Sequence, residues 1–243
     1  MRGPKQFIFL LPNMITAMGI FAGVLSMVSA IEGNFEKAAW LILLALVFDG
    51  LDGRVARMTK TTSRFGVEFD SLADIVSFGV APALIVFLYT GQDFGRLGIV
   101  ISAMYVILGA IRLARFNVMT AKTEPSVFIG VPIPTAAVFI SVLVLLFEKY
   151  TALQAYGFLL LIAAILIALL MVSNIRYPSF KKVNLQTPHF MRLFVTVVFA
   201  ALMVFLYPIE GFALLFTLYI LYGPVLAGIH LYKRWRLISK LNK

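Results

Sequence analysis

The chain contains no cysteine in 243 residues. That absence excludes a disulfide framework, a thiolate metal site and a cysteine nucleophile. Charge is scarce too: charged residues make up 13% of the sequence, against 61% hydrophobic residues. Ordinary globular proteins are about 45–50% apolar, so this composition, with a mean hydropathy of +0.97, points away from a soluble domain and toward an integral membrane protein. Only two histidines occur, His189 and His230; both suit interfacial polar positions better than metal ligation. Acidic residues are outnumbered by basic ones, 11 to 21, for a net charge of +10. In a soluble protein such a surplus suggests nucleic acid. In a chain this apolar it reads as a topology signal and as contacts to anionic lipid, and no nucleic-acid partner is expected.

Long apolar runs dominate what remains. A helix needs about 20 mainly apolar residues to cross the hydrocarbon layer. Eight such segments are expected, near 8–31, 38–58, 67–90, 97–117, 128–147, 153–173, 190–207 and 211–232. The fold class is therefore all-α, a polytopic transmembrane helical bundle. The first run lacks a convincing small-residue cleavage site and holds the polar pair Pro12-Asn13, so it is kept as a helix rather than a signal peptide. Threading the chain through eight crossings places 18 Lys and Arg on one side and only Lys37, Arg96 and Lys149 on the other. The positive-inside bias puts both termini in the cytoplasm. A polar connection near 174–189 divides a six-helix core, 1–175, from a C-terminal helix pair with a basic tail, 176–243. Pro208-Ile209-Glu210 separates the last two helices.

Four of the five aspartates lie within one stretch, DGLDGRVARMTKTTSRFGVEFDSLAD, Asp49 to Asp74. Asp49, Asp52, Gly53 and Ala56 follow i, i+3, i+4, i+7 and share a helix face. Gly66, Asp70, Asp74 and Ser77 share a face of the next helix. The two helices run antiparallel, so the aspartate pairs can meet near the cytoplasmic mouth. Four carboxylates in one pocket repel one another and need a cation. Hard divalent metals suit such an oxygen cluster, and two of them can activate a nucleophile and stabilise phosphoryl oxyanions. Gly53 and Ala56 leave room for a ligand beside the backbone. Arg57 and Arg64, at the mouth, suit a pyrophosphate or phosphate.

The stretch fits D-x2-D-G-x2-A-R-x8-G-x3-D-x3-D at Asp49, Asp52, Gly53, Ala56, Arg57, Gly66, Asp70 and Asp74. It resembles the signature of the CDP-alcohol phosphatidyltransferases, and the likeness covers roughly the first 140 residues. The resemblance implies a membrane enzyme with a six-helix core, working as a homodimer. It takes CDP-diacylglycerol, transfers the phosphatidyl group to an alcohol and releases CMP. It implies that Asp49, Asp52, Asp70 and Asp74 bind two divalent cations, Mg2+ or Mn2+, and that Asp74 is the general base. It also sets Asn13 and Thr16, in "LPNMIT", beside the nucleotide.

Two further stretches, "RLARFN" (Arg112–Asn117) and "GVPIPTAA" (Gly130–Ala137), resemble the phosphatidylserine synthase branch of that family. L-Serine is then the expected acceptor. Its carboxylate needs a cation, and Arg112 and Arg115, with Asn117, form the expected pocket. Two arginines equally suit glycerol 3-phosphate or inositol phosphate, so the choice rests on the likeness. A divalent cation transporter is the alternative from another class, since intramembrane acids mark ion paths. Such a path needs acids reaching both faces. Here Glu32, Glu36, Asp93, Glu148 and Glu210 sit in or beside the outer loops, leaving the pocket one-sided.

Overall fold

The computed structural model describes residues 10–120, 127–178 and 190–241. Arg2, Lys5, Lys122, Lys181, Lys182, His189 and Lys243 lie outside the described residues, as do the first two positions of the first expected segment. Among the described residues the regular structure is helical apart from two three-residue strands. In chain order the elements are α1 (Leu10–Ile31), α2 (Phe35–Met58), α3 (Arg64–Tyr89), α4 (Arg96–Thr120), β1 (Val127–Ile129), α5 (Ile133–Lys149), α6 (Phe158–Val172), β2 (Arg176–Pro178), α7 (Phe190–Leu206) and α8 (Pro208–Leu241).

A helix falls on each of the eight expected segments, though they differ in length. Among the described residues, four are long and apolar enough to cross a membrane: α1, α3, residues 96–119 of α4 and 208–229 of α8. α2 has the length, but Asp49, Asp52, Arg54 and Arg57 interrupt its apolar run. α5, α6 and α7 have 17, 15 and 17 residues. At 1.5 Å per residue these reach only about 23–26 Å, short of a hydrocarbon layer of about 30 Å.

Several expected boundaries shift, each for a local reason. The fifth segment begins as strand β1, not helix. β1 pairs antiparallel with β2 through Val127↔Pro178, Phe128↔Tyr177 and Ile129↔Arg176. Gly130 then turns the chain at φ +75°. A Cβ there would sit 2.1 Å from the Met171 carbonyl oxygen, so only glycine fits. Pro132 caps α5 and Pro134 occupies its first turn, where no partner is needed for the missing N–H. The sixth segment is a single turn, Thr151–Gln154, followed by α6 from Phe158. Pro208 does not separate the last helices; it opens α8.

α5 runs through the centre of the bundle and buries residues on all sides, among them Ile133, Ala137, Ile140, Val144 and Phe147. A helix apolar all round belongs in a core. α1 presents a stripe of small buried residues, Thr16, Gly19, Ala22, Gly23, Ser26, Ser29 and Ala30. Small residues let helix backbones approach closely. Ser26 Oγ donates to the Ala38 carbonyl of α2 at 2.7 Å, and a Cβ on Gly23 would sit 2.9 Å from Ser77 Cα of α3. The opposite face of α1 exposes Met14, Met18, Phe21, Leu25 and Val28. That apolar exterior is what a lipid-facing helix requires. At the C-terminal end of α5, Lys149 Nζ and the Tyr150 hydroxyl both donate to Glu210 Oε1, at 2.5 and 2.6 Å. The hydrogen bond to Glu210 holds the Lys149 ammonium above its ordinary pKa.

Candidate active site

Helical spacing brings the aspartates together. Asp49 and Asp52 stand one turn apart on α2, Asp70 and Asp74 one turn apart on α3. Asp49, Asp70 and Asp74 each offer a carboxylate oxygen, and these atoms lie within 4.8 Å of one another. The Asp49 and Asp74 side chains are within hydrogen-bond reach of each other. Asp52 is 3% exposed and borders the same small cavity as the other three. Its Oδ2 lies 2.5 Å from Thr16 Oγ1, which also sits 3.1 Å from the Pro12 carbonyl oxygen. The structure therefore gathers three carboxylates tightly and leaves the fourth beside them, tied to α1.

The backbone of α3 changes winding right after Asp74. Ile75–Val80 forms a π-helical turn, a feature often found at functional sites. Ser77 within it donates to the Gly19 carbonyl at 3.0 Å. This tie, with the close approach at Gly23, fixes α3 against α1 and so fixes Asp74 opposite Asp49.

An open cleft of about 180 Å³ adjoins the carboxylates. Asn13, Thr16, Asp52, Gly53, Ala56, Arg57, Gly66 and Asp70 line it. A Cβ on Gly53 would lie 3.5 Å from an Arg57 terminal nitrogen, an ordinary contact, so the Arg57 guanidinium lies over Gly53, where it interacts electrostatically with Asp52. A Cβ on Gly66 would meet Ser63 Oγ at 3.2 Å and Asn13 Oδ1 at 3.4 Å. Arg64 is exposed and lies outside the cleft lining, as does exposed Glu68.

Thr61, Thr62 and Ser63 also line the cleft, and no motif position pointed to them. Ser63 takes an extended conformation and accepts a hydrogen bond from the Gly66 N–H at 3.0 Å, capping α3. The signal was present as a serine just before a helix start. Lys60, at φ +56°, makes the tight turn that returns the chain to α3.

The expected acceptor residues separate by contact. Arg112 of α4 is 6% exposed, and its guanidinium stands 5.1 Å from the Phe116 ring centroid. It interacts electrostatically with Asp74, and its Nε faces no protein acceptor. Arg115 points elsewhere: it donates to the Val172 carbonyl at 3.1 Å and to Asn174 Oδ1 at 2.7 Å. Asn117 donates to Ser71 Oγ of α3 at 2.9 Å. Arg112 thus joins the carboxylates, while Arg115 and Asn117 tie α4 to α6 and α3.

The donor set at the centre is all carboxylate oxygen, a chemistry that fits a hard divalent cation. Beside it lie a cleft walled by small residues and one arginine, and a second, buried arginine. Such a set would hold cations between two arginines, a layout suited to phosphoryl transfer.

Comparison with known proteins agrees with this geometry. Residues 9–172 match the family model described as CDP-alcohol phosphatidyltransferase. The chain is 49% identical over 223 residues to the CDP-diacylglycerol–serine O-phosphatidyltransferase of Helicobacter pylori, covering 91% of this chain and 92% of that one. It is 35% identical over 219 residues to the enzyme of the same name from Methanocaldococcus jannaschii, covering 90% and 94%. It is 40% identical over 170 residues to the archaetidylserine synthase of Methanothermobacter thermautotrophicus, covering 69% of each. With three motif aspartates drawn together beside the cleft and two-thirds of its length matched, the chain belongs to the CDP-alcohol phosphatidyltransferase family.

Proposed function

We propose that this protein is a phosphatidylserine synthase, which transfers the phosphatidyl group of CDP-diacylglycerol to the hydroxyl of L-serine and releases CMP. The observation that carries the chemistry is the position of Asp74, within reach of Asp49 and Asp70 and facing the cation Arg112. The names of relatives similar along nine-tenths of the chain support the acceptor.

The cleft side takes the nucleotide half of the lipid. Asn13, Thr16, Gly53, Ala56 and Gly66 shape its wall, and Arg57 supplies charge for the pyrophosphate, with Arg64 at the rim. Serine enters on the other side. Arg112 binds its carboxylate, and Arg115 and Asn117 hold that wall in place. The serine oxygen forms a bond to the phosphatidyl phosphorus. The bond from that phosphorus to the CMP oxygen breaks, and the hydroxyl proton passes to Asp74. Its carboxylate must stand within hydrogen-bond reach of that hydroxyl. Asp49, Asp52, Asp70 and Asp74 would hold Mg2+ or Mn2+, two per site, to offset the phosphate charge and stabilise the leaving group.

The 18-to-3 partition of basic residues supports eight crossings, both termini in the cytoplasm, and a site facing the cytoplasm from the inner membrane. Residues 1–175 form the catalytic core and 176–243 the appended helix pair; the resemblance supports a homodimer among membrane lipids. The test is CMP release by purified protein given CDP-diacylglycerol, a divalent cation and one alcohol at a time. Serine is expected to support turnover, and glycerol 3-phosphate and inositol phosphate are not. A better rate with glycerol 3-phosphate would replace the acceptor and leave the family standing.

A further inference from the structure

α1 supplies no carboxylate to the site, yet it touches both helices that do. Ser77 of α3 donates to its Gly19 carbonyl. One turn earlier, Thr16 meets Asp52 of α2. Thr16, Asp52 and Asp70 border both the open cleft and the small cavity shared by the four aspartates. Thr16 therefore stands where the cleft joins the carboxylates.

Asp52 differs from the other three. Asp49, Asp70 and Asp74 bring their oxygens within 4.8 Å of one another, and Asp52 is outside that set. Asp52 and Thr16 are both buried. A buried carboxylate is costly unless hydrogen bonds or a cation compensate it. Thr16 Oγ1 lies 2.5 Å from Asp52 Oδ2 and 3.1 Å from the Pro12 carbonyl oxygen. A hydroxyl has one proton to give. The shorter distance is that of a charge-assisted bond from a hydroxyl to a carboxylate, about 2.5–2.7 Å, so Thr16 donates to Asp52. The approach to Pro12, four residues back, marks a rotamer that threonine adopts in a helix. It fixes the direction from which the hydroxyl reaches Asp52.

We infer that Thr16 is a positioning residue for Asp52: its hydroxyl holds Oδ2 and so sets how that carboxylate meets a divalent cation shared with Asp49, Asp70 and Asp74. This rests on the metal-holding role proposed for the four aspartates. Hydrogen-bond partners behind a ligand orient it and tune metal affinity. The role also separates Thr16 from the rest of the cleft wall. A residue that only shaped the wall would act through its bulk; Thr16 acts through its hydroxyl.

The experiment measures Mn2+ binding to the purified full chain by electron paramagnetic resonance, without substrates, together with the unfolding temperature. Thr16→Val keeps the shape and removes the hydroxyl, and is expected to weaken Mn2+ binding about 10–100-fold. Thr16→Ala removes the hydroxyl without putting a methyl in its place, and is expected to match it. Thr16→Ser keeps the hydroxyl and is expected to hold Mn2+ within about threefold of wild type. Ser26→Ala is the control. It removes another α1–α2 hydrogen bond, to the Ala38 carbonyl, about 15 Å along α1 from Thr16. It is expected to lower the unfolding temperature and leave Mn2+ affinity unchanged, which separates a loosened helix pair from a misdirected carboxylate. Wild-type Mn2+ affinity in Thr16→Val or Thr16→Ala, or an equal loss in Thr16→Ser or Ser26→Ala, would overturn the role of Thr16. A wild type that binds no Mn2+ would overturn the metal reading and this role with it. A wild type that prefers another alcohol to serine would overturn the acceptor alone.

Discussion

Most of the cleft wall, with Asp52, Gly53, Ala56, Arg57, Gly66 and Asp70, comes from one continuous stretch of α2 and α3, and α1 adds Asn13 and Thr16. The proposed acceptor side depends on Arg112 and Arg115 of α4, which meet Asp74 of α3 and the end of α6, elements far apart in the chain. In the first wall, helical periodicity alone sets which side chains share a face, so geometry and chemistry are encoded together. In the second, position depends on packing between elements, and each residue is fixed by a different neighbour. Damage to the first wall is therefore expected to remove chemistry. Damage to the second is expected to weaken or misdirect acceptor binding.

The largest effect expected is from metal removal. Exhaustive chelation should abolish CMP release and added Mg2+ or Mn2+ should restore it, because three converging carboxylates are mutually repulsive without a cation. Full activity after chelation would break the account of the shared centre. Next comes Asp74→Asn, expected to cut turnover by about 10²–10⁴-fold while CDP-diacylglycerol binding stays measurable. Saturating metal sharpens the assignment, since a ligand defect partly recovers and a base defect does not. Turnover near wild type in a folded Asp74→Asn protein would remove Asp74 from the catalytic set.

The acceptor wall should respond differently. Arg112→Ala is expected to raise the serine KM by about 10–100-fold, as loss of a charge-assisted hydrogen bond of about 1.5–3 kcal/mol would, with a much smaller change for the lipid. Arg115→Ala is expected to raise it less and also to lower the unfolding temperature, because Val172 and Asn174 lose their partner. Equal kinetic effects of the two would erase the distinction between a binding arginine and a bracing one. The smallest expected effect is Ser63→Ala. Loss of the α3 cap should cost about 0.5–2 kcal/mol of stability, read as a lower unfolding temperature, with the serine KM nearly unchanged.

The cleft wall was legible in the sequence because a fixed-spacing pattern on two helices needs no knowledge of packing. Even there, Arg64 sits at an exposed helix start outside the cleft, while Thr61, Thr62 and Ser63 line it from the connecting turn. Backbone direction in a turn is not carried by helical periodicity, so the order of those residues could not be read. The helices were legible as long apolar runs, but the fifth began too early. The left-handed Gly130 and the pairing of β1 with β2 depend on the end of α6 some 40 residues away. Tyr177 and Tyr219 carried no signal at all, since buried tyrosines are common and the contact between their rings is visible only after folding. The contrast between Arg112 and Arg115 has the same origin: three residues apart in sequence, they meet different elements.

The central claim is that this fold moves a phosphatidyl group onto the serine hydroxyl. The most direct test is a single-vessel competition. Purified protein, CDP-diacylglycerol and divalent cation are mixed with equimolar L-serine, isotope-labelled at its hydroxyl oxygen, glycerol 3-phosphate and inositol phosphate. The lipid products are then read by mass. The account predicts phosphatidylserine as the dominant product, with the label retained in its phosphoester. Dominant phosphatidylglycerol phosphate or phosphatidylinositol phosphate, or phosphatidylserine without the label, would contradict it.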